Sequence, residues 1–211
     1  MKKKITSVLS AILILLFFSQ IVFADEFSWD TLDSKWEYVE NDDVYLMPIR
    51  NNEDSWAGYD RGPKRLRDAV SDDWVIETHI ANNTEPEGTG SHVGLVVYKD
   101  ENNWILWGQQ DNNSVVANGV LGGNGYDIHS IMTKYDYLRI AKTGNRYSFS
   151  FSADGETWLQ MPNDYVDINN FLDGAQYGLM GKNWEAFNGG TDTPTYYVEF
   201  SYFYEQSKET E

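Results

Sequence analysis

Downstream of residue 24 the chain alternates short apolar-rich runs with clusters of Gly, Asn and Asp. The clearest run is 147–152, where Tyr147, Phe149 and Phe151 alternate with Ser148, Ser150 and Ser152. A period of two puts the aromatic rings on one face and the hydroxyls on the other, which predicts a half-buried antiparallel strand with its rings in the core. Thr143-Gly144-Asn145 before it and Asp154-Gly155 after it supply turn chemistry, so the stretch from Leu138 to Trp158 reads as a meander. The same reasoning predicts paired strands at Lys35 to Val39 and Val44 to Ile49, turning at Asn41-Asp42-Asp43, and a longer strand at Trp74 to Ile80. His92 to Tyr98 and Trp104 to Gln109 form a hairpin across the polar loop Lys99 to Asn103. Ser114 to Leu121 follows, then the turn Gly122-Gly123-Asn124-Gly125, and later Gln176 to Met180 and Tyr196 to Tyr204. Helical signals are confined to single turns at Pro63 to Val70 and Val166 to Leu172. At least ten short strands at this spacing predict an all-β, two-sheet antiparallel sandwich.

One hairpin departs from simple alternation. Val93, Leu95 and Val97 oppose Gly94, Val96 and Tyr98, and Trp104 and Leu106 oppose Ile105 and Trp107, so neither face is polar. Strands apolar on both faces need cover on both. Two outcomes fit: the outer, concave face is the aromatic floor of a groove, or loops fold over it. If the serine face of 148–152 belongs to the same sheet, it would border that groove.

The first 24 residues change the picture of the compartment. Lys2, Lys3 and Lys4 precede the wholly apolar run Ala11 to Phe18, and Val22-Phe23-Ala24 offers a cleavage site ahead of Asp25. This is the layout of a secretory signal peptide. The alternative is an uncleaved anchor over Ile5 to Phe23, a stretch diluted by Ser10, Ser19 and Gln20. Cleavage leaves 187 residues, enough for a single core over 25–204 without staples, and the polar tail 205–211 is expected to fray. There is no Cys, which excludes a lipoprotein anchor and thiol chemistry; a secreted chain without disulfides points to a bacterium. The processed chain carries 13 basic and 33 acidic residues, a net charge of −20. Such a surface repels nucleic acid and anionic membranes and favours solubility outside the cell, so neither nucleic acid nor, after cleavage, a membrane is an expected partner.

Several motifs resemble a known group. They are Gly94-Leu95-Val96-Val97-Tyr98-Lys99-Asp100 with Asn103-Trp104, Leu138-Arg139 leading to Thr143-Gly144-Asn145, and Ser152-Ala153-Asp154-Gly155 with Trp158. Phe27 and Trp36 near the start, and Val198, Phe200, Tyr202 and Phe203 near the end, fit the group's first and last strands. Together they resemble concanavalin A-like (lectin/glucanase-type) jelly rolls, especially the C-terminal domain of bacterial β-xylosidases and related secreted domains. The resemblance implies a jelly-roll sandwich, an extracellular setting and a glycan-related context, and it transfers no catalytic residue. The segment Ser152 to Trp158 also resembles an Asp-box, one residue short between Asp and Gly; a hairpin turn locked by Asp154 with Trp158 packed behind it accounts for the same residues.

Catalytic patterns are sparse. Glycoside cleavage needs two carboxylates flanking the bond, and no strand presents alternating acids. Glu77 and His79 share one strand face, suited to acid–base work or to a solvated pair. His79, His92 and His129 are too dispersed to read as a metal site, and the glycines from Gly119 to Gly125 lack a Lys and a following helix, so they make a turn. Calcium is the candidate ion, at Asp42-Asp43, Asp72-Asp73, Asp100-Glu101-Asn102 or Asp111-Asn112-Asn113, although Asp and Asn also favour turns for their own reasons.

The aromatic content carries the strongest functional hint: 8 Trp and 14 Tyr. Rings stack on the C–H faces of sugars, so Trp56, Tyr59, Tyr98, Trp104, Trp107 and Trp184 are candidate ligand-binding residues. Trp56 and Trp184 lead this set because their neighbours are polar. Three readings stand: a secreted, non-catalytic carbohydrate-binding or cell-envelope-associated module; a glycan hydrolase with loop-borne carboxylates; or a cell-surface protein-interaction module.

Overall fold

The computed structural model describes residues 40–41, 44–50, 53–84, 90–184 and 196–208. The expected leader, the strand at Lys35 to Val39, and Phe27, Trp36, Asp42 and Asp43 lie outside the described residues. The strands are β1 (Glu40–Asn41), β2 (Val44–Ile49), β3 (Ser55–Trp56), β4 (Tyr59–Asp60), β5 (Lys64–Arg67), β6 (Trp74–Asn83), β7 (Ser91–Asp100) and β8 (Asn103–Gln110). They continue with β9 (Ser114–Leu121), β10 (Asn124–Ile131), β11 (Tyr137–Thr143), β12 (Arg146–Ser152), β13 (Leu159–Gln160), β14 (Tyr165–Val166), β15 (Gln176–Asn183) and β16 (Tyr196–Ser207). No helix occurs among the described residues, and so none long and apolar enough to cross a membrane.

Two antiparallel sheets form a sandwich. One has the order β1-β2-β16-β6-β11-β12-β13, with β14 also on β12; the other runs β10-β9-β8-β7-β15-β5. The core between them joins Ile76, Leu138, Ile140, Phe149 and Phe151 from the first sheet to Leu95, Val97, Ile105, Trp107 and Ala117 from the second. Tyr147, Phe149 and Phe151 are buried as their alternation predicts. Trp107 faces this core too, and its indole N–H donates to the Ser150 carbonyl across the sandwich (3.0 Å). A buried indole needs such an acceptor.

Four expectations change. Pro63 to Val70 contains β5 and not a helical turn, because pairing with β15 satisfies its backbone and buries Leu66. Val166 to Leu172 is a string of turns held by the buried Asp167, whose carboxylate accepts from the Phe171 and Leu172 amides (2.9 and 2.7 Å). The chain does not fray at Glu205: β16 runs to Ser207, and Glu205 accepts from the Tyr177 hydroxyl (2.7 Å) and pairs with Arg67 (2.8 Å). The serine face of β12 is not beside the doubly apolar hairpin, since β12 lies in the other sheet; the Ser152 hydroxyl instead locks the turn at Asp154. The strand β10 has mixed polarity and was not evident from alternation.

The second sheet is pinched where Gly94 pairs with Gly108. A Cβ on Gly94 would sit 2.3 Å from the Trp107 carbonyl oxygen and 2.5 Å from the Gly108 Cα. Both obstacles are backbone, so the neighbouring strand would have to shift. We expect Gly94→Ala to lose about 3 kcal/mol or more of stability in urea unfolding; a variant within about 0.5 kcal/mol of the parent would show that the sheet tolerates a side chain there.

Candidate functional site

The outer face of the second sheet carries its own apolar cluster: Leu66, Val96, Tyr98, Trp104, Leu106, Val120 and Met180. Its cover is a strap, residues 53–62, which contains the β3–β4 hairpin turning at Gly58 (φ +86°). Asp60 pins the strap. Its carboxylate accepts from the Tyr98 hydroxyl (2.6 Å) and the Ser55 hydroxyl (3.1 Å) and pairs with the buried Lys64 ammonium. The ends are tied to β15, where the Gly181 amide donates to the Pro63 carbonyl (2.9 Å) and the Asn183 amide to the Glu53 carbonyl (3.1 Å). Trp56 rides on the strap, edge-on to Trp104 (centroids 6.3 Å apart). A Cβ on Gly125 would fall 2.3 Å from the Trp56 ring, so glycine there lets the indole lie against β10.

Loops therefore cover the aromatic end of the outer face, and the face stays open beyond Trp56. A cavity of about 280 Å³ lies between Trp56 and Trp184, floored by Lys182, Asn118 and Gln110 and flanked by Asp54 and Asp127. Lys182 is 3% exposed. Its ammonium lies 4.5 Å from the Trp56 ring centre and 5.4 Å from those of Trp104 and Trp184. It donates to the Ser55 carbonyl (3.1 Å), and the Asp54 carboxylate is 3.8 Å away. Burial outweighs these partners and pushes the Lys182 ammonium down to about 8. His92, paired in register with Lys182, reaches across β8 so that Nε2–H donates to the Val116 carbonyl (3.1 Å). Burial, then the Lys182 charge, pushes this imidazole down to about 3, so it is neutral.

Four buried polar atoms here lack a hydrogen-bond partner: Trp104 Nε1 under the strap, His92 Nδ1, and Asp54 Oδ1 and Asn118 Oδ1 of the cavity lining. Such orphans are costly and point to a missing polar partner.

The six aromatic candidates divide. Trp56 and Trp184 come together as the cavity walls. Tyr98 and Trp104 are buried beneath the strap, at 6% and 0% exposure. Trp107 is removed from this face altogether, because alternation turns it into the inter-sheet core. Tyr59 is exposed on the strap but outside the cavity lining. Sequence reasoning missed Lys182, Asn118, Gln110, Asp54 and Asp127. Lys182 had one signal, a cation sharing a strand face with apolar Met180.

The other candidates are structurally committed. Glu77 is paired to Arg139 (2.7 Å), whose guanidinium stacks on Trp158 (3.7 Å); burial raises the Glu77 carboxyl despite that partner. His79 stacks on Tyr137 (4.1 Å) and bonds the Ser201 hydroxyl through Nδ1 (2.7 Å). Both lie on the outer face of the first sheet. Carboxylates of the candidate calcium loops are engaged by backbone amides: Asp100 locks its own turn by accepting from the Asn102 amide, and Asp73 and Asp111 tie separate loops together by accepting from the Gly144 and Gly90 amides. No group of three or more acidic or histidine side chains suited to a metal occurs among the described residues.

Lys182 generates a pH prediction. The folded state releases its proton near pH 8, and the unfolded state holds it to about 10.5. Between these values the unfolded chain binds more protons, so stability rises with pH by up to about 1.4 kcal/mol per unit. The buried tyrosines act in the opposite direction only above about pH 10, where the unfolded phenols ionise. Urea midpoints are expected to climb from pH 8 to 9.5 and to flatten in Lys182→Met; equal slopes in the two proteins would refute this.

Comparison with known proteins now adds the lineage. Residues 72–204 match the family model of the β-xylosidase C-terminal concanavalin A-like domain. A sequence search of curated proteins finds no match. Among solved structures, a functionally unknown Saccharomyces cerevisiae protein aligns at TM-score 0.61 and 13% identity, covering 82% of this chain and 93% of that one. Xylan β-1,4-xylosidase from Bacillus halodurans C-125 aligns at TM-score 0.58 and 16% identity, covering 78% of this chain, which spans 33% of the enzyme. The VIP36 exoplasmic/lumenal domain, in a Ca²⁺/Man3GlcNAc-bound form, aligns at TM-score 0.51 and 9% identity, covering 82% of each chain. With the family model matched over most of the sandwich, the chain belongs to the β-xylosidase C-terminal concanavalin A-like domains.

Proposed function

We propose that this domain binds carbohydrate, without cleaving it, in the cavity between Trp56 and Trp184. The carrying observation is the composition of that cavity: two indoles for C–H stacking together with an ammonium, two amides and two carboxylates. Apolar walls with a few convergent polar groups are what a small-molecule site requires. The Asn118 side-chain oxygen, on the cavity lining and without a hydrogen-bond partner, adds an acceptor of the kind a hydroxyl-rich ligand or its bound water satisfies. VIP36, of the same fold, is described with a mannose-containing glycan bound, which supports the reading at the level of fold.

Affinity electrophoresis through xylan, mannan and β-glucan gels tests it. The parent is expected to be retarded by at least one, and Trp184→Ala or Trp56→Ala to weaken binding about tenfold or more, equivalent to about 1.4 kcal/mol. No retardation on any polysaccharide would end this reading. Release of reducing ends would favour the hydrolytic alternative, which is motivated by Asp54 and Asp127 on one cavity.

We also propose that the domain acts outside the cell. Support comes from the Lys-rich, apolar leader and the net charge of −20 after its removal. Expressed with its leader in a bacterial host, the protein is expected in the culture medium or periplasm with Asp25 as its first residue. Retention of Met1 to Ala24 on a membrane-bound product would contradict it.

A further inference from the structure

The indole-walled cavity does not end at Gln110 and Asp127. Both residues also line a second, larger hollow of about 830 Å³, which continues over β9 and β10 past Ser114, Ser130 and Met132 to Asn163. Resting on the carbohydrate reading above, we propose that the two hollows are one binding groove and that its ligand is an internal stretch of a neutral linear polysaccharide rather than a single terminal sugar.

Size is the first argument. At about 280 Å³ the first cavity falls just under the usual range for small-molecule sites, roughly 300–1,000 Å³, and the joined hollows exceed it. Path is the second. From Lys182 on β15 the groove crosses β7, β8 and β9 to β10, which is four strand spacings of about 4.8 Å, or roughly 19 Å. That length suits several pyranose rings in line. The bulge between Asp127 and His129 bends the edge strand where the groove passes over it, keeping Asp127 opposite Asn118. Surface chemistry is the third. The second hollow alternates hydroxyl and amide groups (Ser114, Ser130, Asn163) with apolar contacts such as the exposed Met132, and both ends of a chain could leave it into solvent.

Charge decides the ligand class. Asp54, Asp127 and Asp111 line the groove. Lys182, the cation lining it, is already engaged by the Ser55 carbonyl and the Asp54 carboxylate. A polyuronate would meet repulsion along most of the path, and a neutral chain meets none.

The test measures affinity by calorimetry for xylose-, glucose- and mannose-based oligosaccharides of two to six units, and for oligogalacturonates of equal length. For the series that binds, affinity is expected to rise at least tenfold from the dimer to the hexamer, with galacturonates weaker at every length. Ser130→Trp, a substitution at an exposed position in the second hollow, is expected to abolish the gain with length and leave dimer binding unchanged; Ser130→Ala checks that the position itself is tolerated. Equal affinity for dimer and hexamer, equal weakening of both by Ser130→Trp, or tighter binding of galacturonates would overturn the proposal while leaving a sugar site in place. Absence of binding by every saccharide would instead remove the carbohydrate reading on which it rests.

Discussion

The second sheet is apolar on both faces, and one of those faces has no partner sheet. Everything at the candidate site follows from how that face is covered. The cover is a ten-residue strap, too short to have a core of its own, so it is held by a polar pin. Asp60 receives the Tyr98 and Ser55 hydroxyls and the Lys64 ammonium in a buried setting. Removing one partner from such a buried pair costs about 3–5 kcal/mol, because the remaining charge is stranded. The pin is therefore worth little as a net attraction and much as a constraint: with Lys64 and Tyr98 fixed in strands, the strap has one place to sit.

A fixed strap makes an incomplete lid. Trp56 closes over Trp104, but its reach ends at Gly125, and beyond it the sheet is exposed between Lys182 and Asp127. The ammonium of Lys182 then sits among three indoles, held by the Ser55 carbonyl and the nearby Asp54 carboxylate. Such a position is expensive for a charge, which is why burial wins over Asp54 in setting its proton affinity. The costly Lys182 charge and the unpartnered Asn118 side-chain oxygen both line the cavity that the strap leaves open. The other sheet shows the contrast: Glu77, Arg139 and Trp158 satisfy one another, leaving no unmet demand despite the suggestive pairing of an acid and a histidine on one face.

The architecture was legible in the sequence because it depends on period. Alternation at Tyr147 to Ser152 and Gly, Asn and Asp at the turns are local signals, and burial follows them. β10 escaped because the bulge between Asp127 and His129 breaks the period of two, so Ile128 and Ile131, which pack against the core, do not alternate with its polar residues. β5 escaped because four residues reading Lys-Arg-Leu-Arg resemble a helical surface until β15 offers them hydrogen bonds. The site was half legible. Trp56 and Trp184 stood out by their polar neighbours, whereas Trp104 and Trp107 share a hairpin apolar on both faces, where composition does not say which ring faces the core. The floor and flanking residues come from four strands and a strap far apart in the chain, and each is unremarkable in its own segment.

The Gly94–Gly108 pair links the fold to the groove. Register places Met180 and Val116 on either side of it, so the outer face carries no side chain across two adjacent strands there. That absence permits the close backbone approach seen at Gly94, and it lets the His92 ring cross β8 to the Val116 carbonyl. The crossing occupies the His92 donor and leaves the ring neutral against Lys182. A protonated imidazole here would place two buried cations side by side, which the surroundings do not support. The Gly94–Gly108 stretch thus adds no charge and no side chain to the outer face, and the charges of the groove sit at its two ends, Lys182 on β15 and Asp127 on β10. A sugar chain lying across it would meet backbone at that stretch and the ammonium, amide and carboxylate groups and indole walls around it.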